Sequence, residues 1–175
     1  MVELLVTIAI LMVVSGVVFF NNAQFSNFVF LENLAYEISL TIRQAQAFSW
    51  QVRESSAGFE KGYGVYFNPS SDRFILFADI FPAGAPNQAY DVGQDEIVDE
   101  LKLTSGHKID YVCAGADCNA TSLNISFLRP NSNAIIKENA SGIPQNTGEI
   151  YLISPKGFVK KVLVNNVGQI SILSL

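Results

Sequence analysis

Few side chains in this 175-residue chain are of types that do chemistry, and their spacing narrows what that chemistry is. Two cysteines, Cys113 and Cys118, flank Ala114-Gly115-Ala116-Asp117. The chain has one histidine, His107, and no second cysteine pair, so a zinc-binding pattern is missing. In a cytosolic domain a C-x4-C pair reads as two reduced thiols, but the N-terminus argues for export, so a small Cys113–Cys118 disulfide loop is expected. His107 follows Ser105-Gly106 and reads as a turn residue, with no nucleophile, base and acid set around it. Asp91, Asp95, Glu96, Asp99 and Glu100 run together ahead of Lys102. Their order lacks the alternating acids and central Gly of a calcium loop, which predicts a solvated acidic loop. Lys156, Lys160 and Lys161 form a basic cluster that reads as a solubilising strand edge. Asn119, Asn124 and Asn139 head three N-x-S/T sequons, which permit glycosylation only where the transferase exists. With no phosphate loop, nucleophile elbow or metal-ligand spacing, the sequence predicts no catalytic residue, no cofactor and no metal.

Glu3 is the informative acid. It stands at the edge of Leu4–Phe20, a stretch without charge, and the first Lys or Arg of the chain is Arg43. As a helix that stretch is about 25 Å long, and Asn21 to Ala23 bring it near the thickness of a hydrocarbon core. A carboxylate inside a bilayer costs about 3 kcal/mol even on lenient scales, so it takes a partner. The bland partner is the helix dipole of its own first turn, worth about 0.3 to 1 kcal/mol. The sharper one is a cation of another subunit, which in a dry bundle sets the axial register between neighbours. The stretch lacks the basic n-region and small-x-small cleavage site of a secretory signal. No Lys or Arg precedes it to set orientation, so a basic leader ahead of Met1 is expected.

These residues need elements to hold them. The chain is 49% hydrophobic with net charge −5 and pI near 4.8, and the apolar excess is concentrated at the N-terminus. The acidity argues against a general nucleic-acid binder, leaving room only for a local basic patch. No Pro occurs before Pro69, and Gly16 is the only Gly before Gly58, so one helix is expected to run to about Arg53. Phe28, Leu31, Ala35, Ile38, Ile42, Ala45, Ser49 and Val52 fall on one stripe of its second half, which predicts packing on a downstream domain. Trp50 reads as a packing anchor. Beyond Gly58 the period changes to two. Tyr63–Phe67 and Phe74–Ala78 flank Asn68-Pro69-Ser70-Ser71-Asp72 as a hairpin. Further strands are expected at 97–103, 108–113, 123–128, 133–136, 149–153, 159–164 and 169–173. The fold class is α+β: a long N-terminal helix packed on stacked antiparallel sheets. The expected divisions are an apolar segment 1–23, an amphipathic half 24–54 and a β-rich head 55–175. The apolar segment places Leu4, Leu5, Val6, Ile8, Ile10, Leu11, Val14, Val17, Phe19 and Phe20 in lipid or among other helices.

Met1-Val2-Glu3-Leu4-Leu5-Val6-Thr7-Ile8-Ala9-Ile10-Leu11 resembles the prepilin cleavage and methylation motif of the type IV pilin family. In that family a peptidase removes a short basic leader and methylates the new N-terminus, and a Glu stands at the fifth mature position. Glu3 matches that Glu but is third here, and Phe20 stands where a helix Pro is common. Gly62–Phe67 with Phe74–Asp79, and Val162–Ile172, are similar to the early and closing hairpins of the minor-pilin and H-type pseudopilin branch. The resemblance implies a pilin fold and a structural, non-enzymatic subunit of a homo-oligomeric helical filament. It implies that Glu3 pairs with a neighbour's terminal amine, and that identical or related pilin subunits, a prepilin peptidase and assembly machinery are the partners. It places the chain in the cytoplasmic membrane before assembly and outside the cell afterwards. Relatives with Arg residues after the terminal Gly are associated with DNA binding; Gln169 and Ser171 occupy that place here, so that role is not carried over. The competing expectations are a type II secretion pseudopilin and a membrane-anchored β-domain that binds DNA, glycan or a secreted protein.

Overall fold

The structure, a computed structural model, describes residues 2–51, 62–83, 85–129, 133–140 and 142–175; within the helix, side chains are described for 2–17 and 26–50. Helix α1 spans Val2–Trp50, 49 residues and about 73 Å. With no Pro and only Gly16 inside it, nothing interrupts the backbone ladder. The expected last turn, Val52 and Arg53, lies outside the described residues.

Among the described residues ten strands follow: β1 Gly62–Phe67, β2 Arg73–Asp79, β3 Glu96–Lys102, β4 Lys108–Ala114, β5 Asp117–Ala120, β6 Leu123–Phe127, β7 Ala134–Lys137, β8 Thr147–Ile153, β9 Val159–Asn165 and β10 Ile170–Ser174. They form two five-stranded sheets, β3-β2-β1-β6-β7 and β10-β9-β8-β4-β5, antiparallel throughout. The expected α+β architecture is present, and the β1–β2 hairpin closes in register from Phe67↔Phe74 to Gly62↔Asp79. Strand β5 was not expected. Asp117-Cys118-Asn119-Ala120 has no apolar alternation to announce it.

Helix α1 lies against both sheets. Its buried stripe is Leu31, Leu34, Ala35, Ile38, Ile42 and Ala45, stepping by three, one, three, four and three. Facing it are Val65 and Phe67 of β1, Ile125 and Phe127 of β6, and Val162 and Val164 of β9, all in one core. The expected stripe is corrected at its start, where Phe28 is partly exposed, and gains Leu34; Ser49 is buried as expected, and Val52 lies outside the described residues. Trp50, read as a packing anchor, instead points outward with 61% of its surface exposed.

The two sheets treat their outer faces differently. In the second, β8 and β9 alternate buried and half-buried residues, the pattern of a sheet with one wet face. In the first, β1, β2 and β6 are buried on both faces because residues 80–83 and 85–95 strap across the outside. Tyr90 of the strap stacks near Phe77 and Tyr66, with centroids 5.4 and 5.1 Å away. Gly64 lies under Phe77, where an added Cβ would stand 2.8 Å from the ring's Cζ, so only Gly fits there.

Candidate functional site

The N-terminal third of α1 is an arm that touches nothing else in the described chain. Its large apolar side chains from Val2 to Val17 are exposed, from 41% at Ile8 to 75% at Val2. Leu4, Leu5, Val6, Ile10, Leu11 and Val14 are all more than half exposed. A continuous apolar surface of this extent is not left in water by ordinary monomers. Glu3 is exposed in the first helical turn, the end at which a carboxylate gains from the helix dipole. Thr7 spends its hydroxyl within the helix, donating to the Leu4 carbonyl at 2.9 Å, so the arm presents almost no polar group outward. Among the described residues no helix is long and apolar enough to cross a membrane. The described uncharged run, Leu4–Val17, is about 21 Å long against about 30 Å for a hydrocarbon core. Phe19 and Phe20 lie outside the residues whose side chains are described.

Where the arm meets the head, a collar grips the helix. The Lys160 ammonium is 3.3 Å from a Glu32 carboxylate oxygen and 5.0 Å from the centre of the Phe28 ring. Phe28 meets Phe158 edge to face at 6.2 Å. On the other side His107 places Nε2 3.3 Å from the Asn27 carbonyl and Nδ1 3.2 Å from the Thr104 carbonyl. The β3–β4 turn that presents it runs through Ser105 and Gly106, both at positive φ. His107 is therefore a turn residue, as its neighbours suggest, but a buried one that touches the helix. At the far end of α1, Arg129 donates from Nε and Nη2 to the carbonyls of Ser49 and Gln51, at 3.3 and 2.6 Å. The last turn of α1 carries no cation of its own, so this side chain supplies the missing donors and charge from 80 residues away.

Other candidate sites resolve into structural roles. Cys113 and Cys118 are joined by a disulfide that closes the β4–β5 turn, with Cα atoms 4.0 Å apart. The acidic run is not a solvated loop. Glu96, Asp99 and Glu100 stand on β3, where Glu100 pairs with Arg73 of β2. Asp95 is buried and accepts the N–H groups of Ile80, Phe81 and Asp91 at 2.8 to 3.0 Å. The basic cluster is not a strand edge, since β9 lies between β10 and β8. Lys160 is buried beneath Phe28, and Lys161 reaches Glu149 at 3.3 Å and lies over Tyr151. The sequon residue Asn124 is buried, its side chain spent on the Tyr90 N–H and the Glu138 carbonyl, which leaves no room for a glycan.

Asp79 gave no sign in the sequence. It is fully buried under the strap, with Oδ2 accepting the Gln88 N–H at 2.7 Å and Oδ1 without a partner among the described residues. Burial pushes its carboxyl up to about 7, partly offset by the Gln88 N–H and reinforced by nearby Asp95. Lys137, also buried, ties the same strap through the Asn87 carbonyl and the Gln88 side chain. Among the described residues no group of three or more His, Cys, Asp or Glu is placed to hold a metal.

No protein-family model matches the chain, and no curated protein sequence matches it. Among solved structures it is similar to the minor pseudopilin EpsH from the type 2 secretion system of Vibrio cholerae. That likeness has 10% identity and a TM-score of 0.49, over 82% of this chain and 95% of that chain. At that level it is a likeness of outline, and no residue role passes across it.

Proposed function

We propose that this chain is a pilin-like filament subunit, inserted in a membrane through the start of α1 and polymerised by moving that arm into a bundle of identical or related helices. The observation that carries the reading is the arm itself: an apolar helix exposed on every side, continuous with a helix half that is firmly packed. Lipid tails are as apolar as Leu, so transfer from bilayer to bundle gains little from hydrophobicity. Side-chain packing and one charge pair set the geometry instead. Glu3 is that charge, paired with the terminal amine of a neighbour, and the β-rich head forms the outer layer. A prepilin peptidase and assembly machinery are the partners this path requires. The chain does no chemistry on a substrate in this role. It resides in the cytoplasmic membrane first and outside the cell after assembly.

Replacing Glu3 with Ala tests the reading. In the source cells a filament subunit loses assembly at least tenfold, read as sheared polymer, while its amount in the membrane is unchanged. A membrane-anchored binding module keeps its surface function with Ala at position 3, and that result removes the filament reading. Within the filament class, pilus subunit and secretion pseudopilin share one assembly device. Surface fibres composed mainly of this chain identify the former; loss of an exported protein on deletion identifies the latter.

A further inference from the structure

The half of α1 that packs on the head has an outer face, and that face is patterned. Tyr36, Leu40, Arg43, Ala47 and Trp50 step by four, three, four and three residues and are all exposed. Such spacing draws a straight seam along a helix, the seam on which a second helix lies. Tyr, Arg and Trp are also the residue types that dominate contact energy at protein interfaces. Arg43, Gln46, Ala47 and Trp50 line an open depression of about 390 Å³. These four positions, i, i+3, i+4 and i+7, are the corners of a hole that receives one knob from a facing helix, with Ala47 leaving space in its floor.

Charge selects the occupant. Arg43 is the only Lys or Arg of α1, and it makes no ion pair or hydrogen bond among the described residues. The helix carries three acids. Glu32 is paired with Lys160, and Glu37 lies with Lys102 around the small cavity beside His107. Glu3, on the arm, is the acid left over. We propose that the last two turns of the seam, Arg43 to Trp50, seat the arm of a second copy of this chain, parallel to it, with Glu3 of that copy on Arg43. The spacings agree: Glu3, Thr7 and Ile10 step by four and three, as do Arg43, Ala47 and Trp50. Thr7 then lies over Ala47 and Ile10 over Trp50. The contact joins two different patches, arm on seam, so it repeats along a polymer instead of closing as a two-fold pair. Parallel alignment follows from that repeat, and the 40-residue offset puts the two copies about 60 Å apart along the axis. A carboxylate has acceptor sites enough for both the terminal amine of one neighbour and the Arg43 guanidinium of another. The inference rests on the filament reading and adds a second, more distant neighbour to Glu3.

The test is a charge reversal in the full chain, assembled in the source cells and read as sheared polymer, with thermal melting of the purified protein as the folding control. Arg43→Glu is expected to lose polymer at least tenfold. Arg43→Lys, which keeps the cation, is expected to stay within about threefold of the parent. Arg43 is exposed and unpaired among the described residues, so its variants are expected to melt with the parent. Thr7→Cys with Ala47→Cys is expected to give an oxidation-dependent ladder of cross-linked copies. If Arg43→Glu assembles like the parent while Glu3→Ala does not, the seam contact is wrong and the filament reading stands. If both assemble like the parent, the filament reading falls and the seam contact with it. Equal loss in Arg43→Lys and Arg43→Glu, with no ladder from the cysteine pair, also overturns the contact.

Discussion

The two halves of α1 have the same backbone and opposite surroundings. From Leu31 to Ala45 the inward side chains are buried against two sheets, Glu32 is tied to Lys160, and Arg129 closes the last turn. From Val2 to Val17 the helix is more apolar still, yet nothing in the described chain covers it. Burial is therefore not decided by how apolar a segment is. An apolar stripe with a polar back can be satisfied by one domain on one side. A helix that is apolar all round needs a partner on every side, and a single head cannot supply it. The collar at Asn27, Phe28 and Glu32 marks the boundary between these conditions.

That contrast is easily broken if it is wrong. The largest effect is expected for Ile38→Ala, which empties a site in the core: about 3 kcal/mol of unfolding free energy, measured by denaturant titration. Leu11→Ala in the arm removes a similar side chain and is expected to shift the same titration by less than about 0.5 kcal/mol. Equal losses at the two sites would erase the distinction. Arg129→Ala is expected to cost about 1 to 2 kcal/mol, since it strips charged donors from two helix-end carbonyls. Native-state hydrogen exchange would show the loss concentrated in the last turns of α1 and absent from the arm.

A second contrast lies within the head and is read by pH. The Asp79 carboxyl is raised in the folded state from 3.8 to about 7, so the folded protein holds a proton that the unfolded chain has released. Its contribution is complete below about pH 4 and is lost as pH rises through 7. Stability should therefore slope downward with pH up to that point and flatten above it. Asp79→Asn, which stays neutral, should remove the slope and melt higher than the parent at pH 8. A parent protein whose melting temperature is flat between pH 5 and 8 would show that Asp79 is ionised in the fold.

Local pattern made much of this readable in advance. The β1–β2 hairpin is announced by alternating aromatics around Asn68-Pro69-Ser70-Ser71-Asp72, and the helix by an unbroken apolar period. Strand β5 was missed because its four residues carry no period; its pairing with β4 accompanies the Cys113–Cys118 link. Trp50 reads as an anchor by its type alone; it stands off the apolar stripe, and the structure leaves it exposed. The charged residues were the least readable. Asp95 and Lys160 look like members of solvated runs, and Asp79 looks like nothing in particular. Their surroundings are set by the strap in the case of Asp79 and Asp95 and by α1 in the case of Lys160.

The sequence alone determined the helix, the strand periods of most of the head, and the presence of an apolar arm with one acid near its tip. Those are properties of neighbours along the chain, carried by steric preference and by the spacing of apolar side chains. Only the tertiary structure decided which charges are buried, how the helix end is capped, and where the covered half of α1 gives way to the bare one. Those depend on groups far apart in the chain, whose electrostatic and packing energies exist only once folding has brought them within a few ångströms.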